Sequence, residues 1–232
     1  MKKLRIAEVF GSIQGEGIYA GTPSLFVRIS GCNLRCVWCD TPYASWTPEG
    51  DSFTVDEIVA QLGELENHNH VVVTGGEPML FPEVVELCRQ LAAREKFITI
   101  ETAGTMFQEL KCDLMSISPK LANSTPPIDS GWAERHEKTR TNINVLTQLL
   151  NKYDCQLKFV VNPDVDGDID EILELLVKLP TIRADRIMLM PEGTDSPTLA
   201  RRMKVLVEPA AAHGWRISPR LHIDLFGDTR GT

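Results

Sequence analysis

The sequence has no run approaching the roughly 18 apolar residues that a membrane-spanning helix needs. Its first ten residues, Met1 to Phe10, have a basic start but no long apolar stretch of the kind a secretory leader uses. The expectation is a cytoplasmic protein with no membrane partner. Dense Lys/Arg runs are also missing: 24 Lys and Arg stand against 32 Asp and Glu, a formal net charge of −8. Phosphate backbones and anionic lipid surfaces attract the opposite balance, so no nucleic acid is expected as a partner, and small molecules or proteins fit better. Internal repeats and low-complexity tracts are absent. A length of 232 residues suffices to bury a core without disulfide staples, so a single domain over residues 1–232 is expected.

Cysteine is present but unevenly placed. Cys88, Cys112 and Cys155 lie far apart and read as ordinary buried thiols in a reducing compartment. Cys32, Cys36 and Cys39 fall within a short stretch directly after the strand-like run Leu25 to Ile29. Positions i, i+4 and i+7 would share a helix face, but Asn33, Arg35 and Asp40 break any apolar stripe, and Gly31 reads as a strand ending in a loop. Zinc takes four Cys or His ligands, and neither its usual paired spacing nor an obvious local fourth ligand is found. His68 and His70, which flank Asn69, read as loop residues, although a zinc site would recruit one of them. A four-iron, four-sulfur cluster held by three cysteines leaves one iron open to an external ligand, which turns an electron carrier into a catalyst.

Apolar runs of strand length alternate with amphipathic helical stretches, the pattern of a parallel sheet wrapped by crossover helices. Strands are expected near Leu25 to Ile29, Val71 to Val73, Phe97 to Ile100, Leu114 to Ile117, Leu157 to Val161, Arg186 to Leu189 and Trp215 to Ile217. Thr54 and Glu57 form a capping box that opens a helix over Ile58 to Leu65. Pro82 and Pro197 suit the first turns of helices over Val84 to Ala93 and Leu199 to Ala212. The chain is short for a closed eight-stranded barrel of about 250 residues, so the fold class expected is α/β, an incomplete (β/α) barrel of about six parallel strands. Residues 119–141 hold three prolines and several charges without clear periodicity, and read as an excursion over the active-site face.

In parallel α/β architectures the site lies at the carboxyl ends of the strands. There the chain places the cysteines, then Thr74-Gly75-Gly76-Glu77-Pro78, Glu101-Thr102-Ala103-Gly104 and Ser118-Pro119-Lys120. Two glycines after a strand let backbone approach a ligand, and a following carboxylate can receive an ammonium group. An open iron asks for a chelator, and an amino acid's amine and carboxylate provide one.

With CxxxCxxC, an aromatic Trp38 before the last cysteine and the Gly75-Gly76-Glu77 turn, the sequence resembles the radical S-adenosylmethionine enzymes. Ser12 to Gly17, Arg28, Cys39-Asp40-Thr41, Ser118-Pro119-Lys120 and the stretch Arg220 to Gly231 are similar to the 7-carboxy-7-deazaguanine synthase family, from one end of the chain to the other. The resemblance implies conversion of 6-carboxy-5,6,7,8-tetrahydropterin to 7-carboxy-7-deazaguanine with loss of ammonia, on the route to queuosine and other 7-deazapurines. It implies a [4Fe-4S] cluster, S-adenosylmethionine and Mg2+ as cofactors, a barrel of the radical S-adenosylmethionine type, an external flavodoxin-like electron donor and a homodimer.

Carried onto this sequence, the resemblance gives Cys32, Cys36 and Cys39 to the cluster and Thr41 to magnesium. It places Val37, Trp38, Asp40, Gly75, Gly76, Glu77, Ser118, Pro119 and Lys120 around S-adenosylmethionine, and Ile13, Gln14, Gly15, Glu16, Arg28, Thr74 and His222 around the pterin. The side chains suit that substrate: Gln14 and Glu16 match the donors and acceptor of an amino-oxo edge, and Arg28, inside an otherwise apolar strand, can clamp a carboxylate. Against these stand blander readings: a rim salt bridge for Arg28, a turn or helix cap for Thr41, and a structural histidine at 222. The competing functions are a glycyl-radical-enzyme activating enzyme, which shares the cysteine spacing, and a non-enzymatic zinc-binding interaction domain.

Overall fold

In the computed structural model, which describes residues 3–65 and 68–232, nine strands form one sheet. The elements run β1 (Leu4–Ile13), β2 (Pro23–Ile29), α1 (Pro42–Ser45), β3 (Asp51–Phe53), α2 (Val55–Glu64), β4 (His70–Gly75), α3 (Glu83–Ala92) and β5 (Phe97–Thr102). They continue with β6 (Leu114–Ile117), α4 (Ala133–Arg140), α5 (Ile143–Lys152), β7 (Cys155–Val161), α6 (Asp168–Val177), β8 (Ile187–Pro191), α7 (Ser196–His213), β9 (Arg216–Ile217) and α8 (Leu221–Phe226). The sheet order is β3-β1-β2-β4-β5-β6-β7-β8-β9. Pairing is parallel from β2 through β9, while β1 runs antiparallel to both β2 and β3. The sheet ends in β3 and β9 instead of closing, as an incomplete barrel does.

Side-chain alternation divides each parallel strand between two environments. Leu25, Val27 and Ile29 of β2, Val71 and Val73 of β4, Ile98 and Ile100 of β5, and Leu157, Phe159 and Val161 of β7 pack with the helices in one continuous core. The alternate residues face the barrel interior and are largely polar: Arg28, Thr74, Glu101, Ser116, Gln156 and Lys158. This interior face, buried yet polar, is what the fold offers to chemistry.

Local sequence explains the helix starts. The capping box is present, with Thr54 Oγ1 accepting from the Glu57 amide at 3.3 Å and Glu57 Oε2 accepting from the Thr54 amide at 2.7 Å. At α7 the Asp195 side chain accepts from the Thr198 amide at 2.8 Å, with Pro197 in the first turn. Three expectations need correction. β1 and β3 are additional strands, the first betrayed by its alternation of buried Leu4 and Ile6 with exposed Arg5. His70 is no loop residue but the first residue of β4, buried and bonded to Ser24 and Thr99 at 2.8 Å each. Residues 119–141 include the helix α4, whose sequence Ala-Glu-Arg-His-Glu-Lys-Thr-Arg is too polar to show an apolar period.

Candidate active site

The cysteine loop is fixed from two sides. On the sheet side it is stitched to the turn after β4, the Gly76 amide donating to the Ile29 carbonyl at 2.9 Å and the Glu77 amide to the Gly31 carbonyl at 2.9 Å, while the Gly31 amide donates to the Ala44 carbonyl of α1 at 2.8 Å. The contact is so close that a Cβ on Gly76 would lie 2.3 Å from the Gly31 carbonyl oxygen and 2.5 Å from that of Ala44. On the other side stands the 119–141 excursion. The Val37 amide donates to the Ser124 carbonyl at 2.9 Å, the Trp38 indole to Asn123, and the Arg35 amide to Nδ1 of the buried His136 at 3.1 Å. His136 is held in turn by Ser124 at 2.9 Å. The excursion therefore braces the cysteine loop from behind.

The three thiols are free. They sit with Leu34, Ala103 and Trp38 in an apolar patch separate from the main core. Burial pushes the Cys32 thiol up to about 12 and the Cys36 thiol up to about 11, so metal binding here releases protons as thiolates form. Among the described residues no three His, Cys, Asp or Glu side chains gather around a single ion. A four-iron cluster makes a different demand, a separate thiolate for each of three irons in a dry shell with amide-to-sulfur hydrogen bonds, and the Leu34 amide donates to Cys32 Sγ at 3.4 Å. The residues fit such a group.

The cysteines border a cavity of about 550 Å³ that extends across the polar interior of the barrel. Because β1 is antiparallel, the turn after it enters from the end opposite the cysteines and leans onto the interior face. There Gln14 Nε2 donates to Glu101 at 3.2 Å, Thr74 Oγ1 donates to the other oxygen of Glu101 at 2.9 Å, and Glu16 pairs with Lys158 and Arg220. Burial pushes the Glu16 carboxyl upward, but the two cations outweigh it and hold the group far below its ordinary value. The His222 ring closes on Gly15, where a Cβ would lie 1.9 Å from Nδ1. Burial keeps His222 below its ordinary pKa, in the neutral form at neutral pH.

Of the residues singled out from sequence, all but three border this cavity. Glu77 is the main correction. It is fully buried and turned away, its carboxylate accepting from the Met79 amide, Thr102 Oγ1 and the Ala103 amide at 3.0, 2.7 and 2.8 Å. That carboxylate ties the β4 turn to the end of β5 and is not free to meet a ligand's amine. Val37 points to solvent, because only its amide is needed by Ser124, and Pro119 is buried outside the cavity wall. Arg28 makes the salt bridge considered for it, its Nε donating to Glu8 at 2.7 Å, and its side chain also borders the cavity. Thr41 makes no cap bond with its hydroxyl, although it stands at the start of α1, and it too borders the cavity. Lys120 reaches Ser118 Oγ at 2.8 Å and lies 5.6 Å from the Trp38 ring centre.

Sequence reasoning missed Lys158 as a wall residue, and gave Glu101 only a place on the rim after its strand and Arg220 only a place in the family-like C-terminal stretch. The available signal was polar residues recurring at every second position in strands otherwise apolar, Thr99 and Glu101 in one, Gln156 and Lys158 in another.

Comparison with known proteins agrees with this geometry. The Radical SAM superfamily model matches residues 26–145. The chain is 45% identical over 240 residues to the 7-carboxy-7-deazaguanine synthase of Halobacterium salinarum, covering 99% of this chain and 93% of that one. It is 43% identical over 233 residues to the enzyme of the same name from Rhodopirellula baltica, covering 99% and 89%. The crystal structure of QueE from Escherichia coli superposes with a TM-score of 0.72 at 24% identity, covering 95% of each chain.

Proposed function

The chain belongs to the 7-carboxy-7-deazaguanine synthases of the radical S-adenosylmethionine superfamily, and from that membership we propose how the residues of its cavity divide the work. The enzyme converts 6-carboxy-5,6,7,8-tetrahydropterin to 7-carboxy-7-deazaguanine with loss of ammonia, using a [4Fe-4S] cluster, S-adenosylmethionine and Mg2+. When bound, the cluster and S-adenosylmethionine together supply the organic radical that begins the ring contraction. Everything else falls to side chains that bind, orient and exclude water.

Cys32, Cys36 and Cys39 would hold the cluster. Trp38, Asp40, Gly75, Gly76, Ser118 and Lys120 are assigned to S-adenosylmethionine: the glycines present backbone where a side chain would block approach, and Lys120 offers its ammonium to a carboxylate. Ile13, Gln14, Gly15, Glu16, Arg28, Thr74 and His222 are assigned to the pterin. Glu16, kept ionised by Lys158 and Arg220, accepts from an amino-oxo edge, and neutral His222 adds a donor or acceptor beside it. Arg28 offers the guanidinium edge not used by Glu8 to the 6-carboxylate. The hydroxyl of Thr41, which makes no cap bond and lies 3.8 Å from Cys39 Sγ, is assigned to magnesium, whose remaining positions go to carboxylate oxygen and water.

The observation that carries this reading is that the cysteine loop and the Gln14–Glu16 turn, delivered from opposite ends of the barrel, border one cavity. A single domain, a flavodoxin-like electron donor, a homodimer and a cytoplasmic setting complete the proposal. The last is supported by six free thiols, and no helix among the described residues is long and apolar enough to cross a membrane. The C-terminal residues Asp228 to Thr232 also border the cavity, which suits a small polar substrate better than the protein backbone a glycyl-radical activating enzyme must admit. The test is an anaerobic assay of reconstituted protein with reductant, S-adenosylmethionine, magnesium and the pterin, read by mass spectrometry. Product mass is expected; deoxyadenosine without product would discard the substrate assignment.

A further inference from the structure

Four ionic side chains along the cavity form one chain of contacts, Lys158 to Glu16, Glu16 to Arg220 and Arg220 to Asp40. They come from separate stretches: β7, the turn after β1, the residue just before α8, and the cysteine loop. Arg220 is the centre. It is 5% exposed, its Nε donates to Glu16 Oε1 at 3.2 Å, one Nη donates to Asp40, and the other donates to the Gly193 carbonyl after β8. A guanidinium is planar and presents its donors in a fixed fork, so its partners on three loops cannot move independently.

Such an arginine could be glue alone, but glue has no need of partners that face a ligand cavity. Both carboxylates do face it. The Asp40 side chain is 40% exposed against 6% for Arg220, so a ligand can reach the carboxylate that the guanidinium holds from behind. Glu16 borders the same cavity, and its second oxygen is engaged by Lys158, so it shifts with Arg220 instead of pivoting away from it.

We propose that Arg220 is a positioning residue that couples the two halves of the cavity: a ligand that orders Asp40 tightens the site around Glu16, and the reverse. The inference rests on the assignment of Glu16 to the pterin and Asp40 to S-adenosylmethionine made above. Ordering these loops costs free energy, and the ligand that binds first meets that cost, so the second finds its carboxylate already aimed. Linkage requires the effect to be equal in both directions.

Titration calorimetry on the cluster-loaded protein, with magnesium and without reductant so that no turnover occurs, tests this directly. The dissociation constant of S-adenosylmethionine is measured with and without saturating 6-carboxy-5,6,7,8-tetrahydropterin, and that of the pterin with and without S-adenosylmethionine. Each ligand is expected to tighten the other by about fivefold or more, by one common factor. Arg220→Gln removes the bridge, and Arg220→Lys keeps the charge but offers a single ammonium to one carboxylate at a time. Both are expected to bring the factor to within about twofold of one while each ligand alone still binds. A wild-type factor already near one, or a factor unchanged in Arg220→Lys, would overturn the proposal; if Arg220→Gln does not fold, those two arms still decide it. Failure of the underlying assignment shows elsewhere: Glu16→Gln would then leave pterin affinity at the wild-type value, and Asp40→Asn that of S-adenosylmethionine.

Discussion

At the scale of single residues, the informative cases are those whose chemistry was legible but whose partners were not. Arg28 stood out as a charge inside an apolar strand, yet Glu8, which takes its Nε, lies on a strand pairing that no local pattern announced. Arg28→Lys is expected to raise the KM for the pterin about tenfold or more while deoxyadenosine formation persists, because an ammonium cannot serve Glu8 and a substrate carboxylate in bidentate fashion. Steady-state kinetics with both products quantified would check this, and unchanged constants would leave Arg28 a structural ion pair. Glu77 is the opposite case, a residue whose motif suggests ligand contact but whose three hydrogen bonds are internal. Glu77→Gln would set an amide N–H against one of those donors, at a cost of about 1–3 kcal/mol. A lowered melting temperature with nearly unchanged affinity for S-adenosylmethionine is expected; the reverse pattern would restore Glu77 to the ligand.

Elements explain why the cysteine loop is held so firmly. Carbonyls at its start accept from amides of the β4 turn on one side, and its own amides donate to the 119–141 excursion on the other. Gly76→Ala would drive a methyl group against two backbone carbonyls that cannot yield without parting the turn from the loop. The expected outcome is iron and sulfide content well below wild type after reconstitution, read by metal analysis. His136→Ala removes the acceptor for the Arg35 amide from a buried site, a loss of about 1–3 kcal/mol, and faster cluster loss on dilution is expected, followed by the decay of its visible absorbance. Neither brace could be read in the sequence. The polar helix α4 shows no apolar period, and a buried histidine looks like any other until its neighbours are known.

For the whole molecule, the buried charges set how stability depends on pH. Burial raises the Glu16 carboxyl, but Lys158 and Arg220 outweigh it, so the group is held below its ordinary value of 4.5. A carboxyl held low in the fold stabilises it at pH above the ordinary value, and that contribution is lost as the pH falls through it toward the folded-state value. The melting temperature is therefore expected to fall between about pH 5 and pH 3, and less steeply in Glu16→Gln, as scanning calorimetry across that range would show. By itself the sequence determined what depends on neighbours in the chain. The three cysteines and the Gly-Gly turn follow their strands directly, the helix caps are local hydrogen bonds, and the alternation of strand and helix dictates a parallel sheet. Only the tertiary structure decided what depends on distant residues. Strand order brought Glu101 to Gln14 and Lys158 to Glu16, the antiparallel β1 turned that segment inward, and Arg220 joined loops 180 and 204 positions away in the chain. A side chain's charge and hydrogen-bonding capacity are fixed by its type, but the group that meets them is chosen by packing.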